Sequence, residues 1–348
     1  MTLGSDLEIP RKVDLGGGRA LVYHAPEGVL VAGMGGSAIS GDLCRDSLEP
    51  RISVPFWISR DYSLPSFVDR HFLVLASSYS GNTEETLSAY VTAIERGCMV
   101  ISLSSGGRLE EFSRNLGIPH LHLPSGMLPR VALPFMLIPI LTVLNKVGVI
   151  PPVEDDVKRA SESLRGILSR NSVEIPLVDN SAKKLAAELS GYIPVVYGWR
   201  HLSSAAYRLM TDFQENSKVP AKSAVLPEAN HNEILGWQAP KKLTALLAVI
   251  LLRDREEPTE ITARIEATRN LILRKRAGKI LEMLAEGETN LQKSLSTVYK
   301  GLITSYYLAI ANRVDPWETM VIDLLKKELE IRLKTKNEVS ARIERLKP

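Results

Sequence analysis

The sequence predicts an α/β protein made of two doubly wound parallel-sheet halves and closed by a C-terminal helix. Three observations carry this prediction. Short apolar runs are continuous rather than alternating, as strands buried on both faces require. Segments of helical spacing separate those runs, the alternation that builds a parallel sheet. At two junctions a run passes through glycines or hydroxyls before a helix begins, the place where such sheets bind ligands. The 348 residues suit two domains of ordinary size, here 1–150 and 151–348.

In the first half, residues 29–32, 54–58, 72–76, 99–103 and 121–123 read as short buried strands. Residues 38–48 and 83–96 have helical spacing, and an apolar helix from Arg130 to about Val147 closes the half. The segment IPPVEDD (150–156) then marks a break, because a proline pair ends one element and the acids that follow open another helix. The second half repeats the theme. Residues 193–197, 243–252 and 280–284 read as strands, and residues 203–218, 260–274 and 290–313 as helices. After Asp315-Pro316 a further helix begins near Thr319 and runs towards the C-terminus. Residues 327–348 mix Lys, Arg and Glu with apolar positions and read as a solvated amphipathic helix.

Composition narrows the function. Hydrophobic residues make up 45% and charged residues 24%, the profile of a soluble globular protein. A net charge of +3 is too small and too dispersed to argue for nucleic acid. The longest apolar stretch, 132–144, contains two prolines and is too short to span a bilayer, so no membrane association is expected. The two cysteines, Cys44 and Cys98, form no CxxC or zinc pattern, and with no secretory leader they indicate a reducing, cytoplasmic compartment.

The first chemical signal is GMGGSA (33–38), after a strand and opening a helix. Glycines let the backbone approach an anion, and a helix N-terminus favours negative charge. The same letters fit the dinucleotide fingerprint G-x-G-x-x-G/A, which wants an acid at the end of the next strand, about 20 residues on. Residues 54–58 lead only into Ser59-Arg60, and Asp61 comes late. The second signal, SSYSGNTEET (77–86), places the hydroxyls of Ser77, Ser78, Ser80 and Thr83 at another strand-to-helix junction. One hydroxyl, on Ser80 or Thr83, would suffice for a helix cap. The density of hydroxyls favours a phosphate monoester.

These two segments, with the later GGRL (106–109), resemble the sugar-isomerase (SIS) fold. More narrowly they resemble the archaeal and bacterial bifunctional phosphoglucose/phosphomannose isomerases, over about residues 29–326. The resemblance implies interconversion of glucose 6-phosphate and mannose 6-phosphate with fructose 6-phosphate, needing neither cofactor nor metal. It implies that Ser37, Ser78, Ser80 and Thr83 bind the phosphate and that Gly35 and Gly36 lie at the sugar.

Aldose–ketose isomerisation needs a base that reaches two adjacent carbons, a positive group near the enediolate oxygens, and acid–base help in opening the ring. Glu215, in DFQENSK (212–218), is a candidate base; on sequence alone it reads equally as an exposed helix-end carboxylate. The resemblance places the family's catalytic glutamate there. His231, in PEANHNE (227–233), matches the ring-opening histidine of the family, which reaches the neighbouring subunit's active site and so implies a homodimer. Many relatives carry His where this chain has Asn230. Arg130, in LPRVALP (128–134), opens an apolar helix, where a cation opposes the helix dipole and calls for an anionic partner. The family's arginine there steadies the enediolate. Lys326, in IDLLK (322–326), matches the lysine at the ring oxygen, and Thr319 matches the threonine that leaves room at C2 for both epimers. Relatives stop soon after that lysine, whereas this chain continues to residue 348.

Two other classes remain open. A non-catalytic regulatory protein that binds sugar phosphate would share the loops but need no Glu215, His231 or Lys326. A dinucleotide-dependent oxidoreductase would rest on the turn at 33–38 alone. His120 and His122 share one face of a strand, yet no third ligand is evident in the nearby sequence, and no metal is expected.

Overall fold

The computed structural model describes residues 6–347. The chain divides into two compact units, Met1–Val153 with Thr319–Pro348, and Glu154–Glu318.

In the first unit a small antiparallel pair, β1 (Lys12–Asp14) and β2 (Ala20–Val22), precedes the main sheet. The sheet comprises β3 (Gly28–Ala32), β4 (Phe56–Ser59), β5 (Phe72–Ser77), β6 (Met99–Ser104) and β7 (His120–His122). It is wholly parallel, in the order β4-β3-β5-β6-β7. Every residue of β3 and β6 is buried, which is why their sequences show no alternation. β4 lies at one edge, where Trp57 is exposed. Four helices, α1 (Gly35–Leu48), α2 (Glu84–Glu95), α3 (Gly107–Leu116) and α4 (Leu133–Lys146), complete the layers. The winding reverses between β3 and β5, so the loops that follow these two strands flank the topological switch point.

The second unit contains α5 (Glu154–Asn171), α6 (Ser181–Leu189), β8 (Ile193–Trp199), α7 (Ser203–Ser217), β9 (Lys222–Leu226) and α8 (Lys241–Thr244). Then come β10 (Leu247–Arg253), α9 (Thr259–Thr268), α10 (Arg274–Arg276), β11 (Lys279–Leu284) and α11 (Asn290–Ala311). A π-helical segment, Arg269–Leu273, joins α9 to α10. The sheet is again parallel, in the order β11-β10-β8-β9. With β8 taken as first strand this repeats the winding of the other unit, with one strand fewer. The strand expected from residue 243 begins at Leu247, because residues 241–244 turn helically first. β9 was not expected from the sequence.

The tail forms two helices, α12 (Met320–Arg332) and α13 (Thr335–Glu344). It groups with the first unit, although the sequence reading carried the second domain to residue 348. α12 buries none of its residues. The reading of residues 327–348 as a solvated helix is corrected at α13. Val339, Ile343 and Leu346, spaced as one helical stripe, are buried in the core of the first unit. Arg342 donates to both carboxylate oxygens of Glu95, at 3.0 and 2.6 Å, which fastens α13 to α2. Among the described residues no helix is long and apolar enough to cross a membrane.

Candidate active site

The two loops at the switch point of the first unit touch each other. A side chain at Gly33 would lie 2.8 Å from the Ser77 carbonyl oxygen, so glycine is required for this approach. Gly35 adopts φ 50°, and α1 starts there with no side-chain cap on its first turn. The Ser37 hydroxyl is buried, donates to Met136 Sδ at 3.0 Å and accepts from the Tyr79 amide at 3.3 Å. The GGS turn is therefore joined to the hydroxyl-rich loop.

That loop is held from behind. Gly81, at φ 68°, sits so close to the Gly106 carbonyl that no Cβ fits, and Gly107, at φ 74°, meets Ser80 in the same way. The Leu109 amide donates to Gly81 O at 2.9 Å, and both the amide and the hydroxyl of Ser105 donate to Tyr79 O. Thr83 occupies the N-cap position of α2, yet its hydroxyl does not cap the helix. It lies 2.8 Å from the hydroxyl of Ser78, which is buried. Ser80 is exposed at the rim, where its hydroxyl accepts from the Asn82 amide at 3.3 Å. The helix-cap alternative for Thr83 thus fails. What stands in its place is a hydroxyl pair beside an uncapped helix N-terminus, a setting that favours a bound anion. The dinucleotide alternative gains no acid at the end of β4: that strand stops at Ser59, and the next residue, Arg60, pairs with Asp42.

Arg130 is buried in the segment before α4. Tyr79 fixes that segment on one side, donating to Pro124 O at 2.8 Å and accepting from the Met127 amide at 3.2 Å. Met136, bonded to Ser37, fixes it on the other. The expected helix at Arg130 begins three residues later, at Leu133, and leaves Arg130 in the preceding turn.

Glu215 stands in the last turn of α7 and is half-buried. The buried face of α7 sets its orientation. Arg208 pairs with Asp212 at 2.8 Å, and Asn216 donates to the Ser305 hydroxyl at 2.9 Å. Lys218, at φ 55°, ends the helix. His231 is exposed just after a 3-10 turn, Glu228–Asn230. The neighbouring Asn230 donates to the Thr268 hydroxyl at 2.8 Å. Lys326 is exposed on α12. The Thr319 hydroxyl donates to Asp323 at 2.9 Å. The structure therefore gathers Gly35, Gly36, Ser37, Ser78, Ser80 and Thr83 at one switch point. It assigns Glu215 and His231 to the second unit and carries Thr319 and Lys326 with the tail.

The second unit's own switch point, between β8 and β10, is filled. His201 Nε2 lies 3.1 Å from Asp254 Oδ2, and Lys293 Nζ lies 3.0 Å from Asp254 Oδ1 and 2.5 Å from Glu256 Oε2. Burial raises the pKa of Asp254, but His201, the Glu256 amide and Lys293 outweigh it and hold the carboxyl down at about 2. Sequence reasoning passed over this network, since its members are far apart along the chain. It also missed Tyr79 as the strut behind the loop, where the apolar ring within a polar run was the available signal.

The bacterial phospho-glucose isomerase C-terminal SIS domain family matches residues 178–329. A bifunctional phosphoglucose/phosphomannose isomerase of Caldicellulosiruptor bescii is 38% identical over 302 residues, covering 86% of this chain and 89% of that protein. Its namesake in Aquifex aeolicus is 36% identical over 87% of this chain and 91% of that protein. A hypothetical protein from Thermus thermophilus shares the fold, with a TM-score of 0.70 at 16% identity over 89% of this chain and 84% of that one. Identity of this extent along nearly the whole of both bifunctional relatives leads to one conclusion: the chain belongs to the bifunctional phosphoglucose/phosphomannose isomerase family.

Proposed function

We propose that the chain interconverts glucose 6-phosphate and mannose 6-phosphate with fructose 6-phosphate through an enediolate. The observation that carries this reading is the switch-point cradle, with Ser37, Ser78 and Thr83 beside uncapped helix N-termini, in a chain of this family. The phosphate rests on Ser37, Ser78, Ser80 and Thr83, with Gly35 and Gly36 against the sugar. Such a hold on the remote end of the substrate fixes the reacting carbons and lowers the entropic part of the barrier.

Glu215 removes the C2 proton of the open-chain aldose and returns it to C1. C2 becomes trigonal in the enediolate, so glucose and mannose 6-phosphates lose the stereocentre that distinguishes them. One intermediate therefore connects both to the ketose. Arg130 offsets the charge that grows on the C1 and C2 oxygens. His231 and Lys326 exchange protons with the hydroxyl and ring oxygen during ring opening, and Thr319 leaves space for either C2 configuration. The exposure of His231 suits service in a neighbouring subunit, and the active form on this reading is a homodimer. Cys44 and Cys98 are free and buried, in keeping with a cytoplasmic enzyme.

The test is an assay starting from fructose 6-phosphate that reads glucose 6-phosphate and mannose 6-phosphate separately. Both products should form, and Glu215→Gln should abolish both while leaving sugar-phosphate binding nearly intact. Turnover in that variant above a few per cent of wild type would remove Glu215 as the base, and binding without turnover in the unaltered chain would favour a regulatory protein.

A further inference from the structure

The linear sequence set His120 and His122 on one face of a strand and offered no third partner. The fold supplies one. Glu110, in the first turn of α3, is 7% exposed and extends to β7. Its Oε2 lies 3.1 Å from His122 Nδ1 and 4.0 Å from His120 Nε2. One ligand atom from each of the three residues falls within 4.8 Å of the other two. A tetrahedral zinc-class ion with bonds of about 2.0–2.2 Å holds its ligand atoms about 3.3–3.5 Å apart. Small side-chain rotations close the difference, and His122, whose side chain is 60% exposed, has room to make them.

The cluster also has the outer support that metal-binding histidines use. The Ser113 hydroxyl donates to Leu109 O at 2.8 Å, so it accepts from Ser102, 2.6 Å away. Ser102 in turn accepts from His120 Nδ1 at 2.8 Å. This buried hydroxyl chain assigns the proton to Nδ1 and leaves the lone pair of Nε2 on the side of Glu110. The Ser104 hydroxyl, 3.4 Å from Nε2, gives its hydrogen to Gly106 O instead. Arg114 holds the other oxygen of Glu110. The exposed ring of His122 opens the cluster to solvent, which can complete the coordination.

We propose that Glu110, His120 and His122 form a binding site for one divalent cation of the zinc class, which clasps α3 to the sheet edge at β7. Two imidazoles and one carboxylate suit zinc or cobalt better than magnesium or calcium, which prefer oxygen ligands.

The test uses the untagged full-length chain, stripped with a chelator. Zn²⁺ is titrated by calorimetry, and Co²⁺ by its visible absorption, which is intense in four-coordinate sites. The expected result is one ion per chain, a melting temperature that rises with Zn²⁺, and absorption typical of nitrogen–oxygen coordination. His122→Ala removes an exposed ring, so the apo variant should melt as wild type does while its affinity falls at least tenfold. Glu110→Gln should weaken binding similarly. Arg114→Ala takes away an opposing positive charge and should tighten it several-fold. Absence of binding by the wild type, or equal affinity in wild type, His122→Ala and Glu110→Gln, would overturn the proposal and leave a hydrogen-bonded cluster without a ligand. An Arg114→Ala variant that binds no more tightly would equally count against it.

Discussion

Thr83 holds the N-cap position of α2 without capping it, and its hydroxyl faces Ser78 instead. On the proposed reading, this hydroxyl forgoes the cap so as to meet the substrate's phosphate. Hydrogen bonds to charged groups are worth about 1.5–3 kcal/mol. Ser78→Ala is thus expected to raise the KM for fructose 6-phosphate about tenfold or more, with kcat much less affected, as steady-state kinetics would show. A second residue-scale prediction concerns Asp254, whose folded pKa of about 2 lies below the usual 3.8. A depressed carboxyl pKa contributes stability that is fully present above about pH 4 and is lost as the pH falls towards 2. Asp254→Asn should therefore lower the melting temperature near pH 7, where Lys293 loses a buried partner, and should flatten the acid limb of the melting curve. Calorimetric melts at a series of pH values check both. Residue density made the loop at 77–83 legible in the sequence, because four hydroxyls at one junction exceed what capping needs. Nothing comparable announced Glu110 or Asp254, whose meaning arises only when separate elements meet.

At the scale of elements, the strands buried on both faces were easy to read; the partly exposed β9 and the tail were not. Burial on both faces gives β3, β5 and β6 mostly apolar runs without alternation, a signal confined to the strand itself. α13 buries Val339 and Ile343, with Leu346 just beyond its end, amid Lys, Arg and Glu, and the helix it packs on, α2, is far away along the chain. Such a stripe resembles that of any solvated helix until the partner is known. Its contribution is open to measurement. Ile343 is fully buried, so Ile343→Ala should destabilise the first unit by about 2–5 kcal/mol, read from urea or thermal melts. The junction of α3 with the loop makes another element-scale prediction. Gly107→Ala combines a φ of 74° with a collision at Ser80, strain of about 1–3 kcal/mol. That variant should fold less stably and bind fructose 6-phosphate more weakly, which melts and KM together would reveal.

Over the whole molecule, two sheets of the same winding have separate fates. In the first unit the switch point is lined with hydroxyls. In the second, His201, Asp254 and Lys293 occupy the equivalent place with a buried ionic network, so one cradle per chain is expected. The repeated alternation of runs and helices announced two similar α/β halves, though not β9, the strand that completes the common winding; the closure of one site was not visible, because ionic partners leave no periodic trace. The proposed dimer yields a prediction of its own. If His231 serves the neighbouring subunit, a mixed dimer of Glu215→Gln and His231→Ala chains has one site with both groups intact. Co-expressed in equal amounts, two nearly inactive variants should together recover about a quarter of wild-type turnover, whereas a site completed within one chain would recover none. The glycine-to-glycine seam at Gly81 and Gly107 has a practical sequel. Neither backbone keeps its path without the other, so transplanting residues 77–83 alone into a foreign scaffold would deliver a floppy graft. The smallest portable cassette runs from the start of β5 through the first turn of α3.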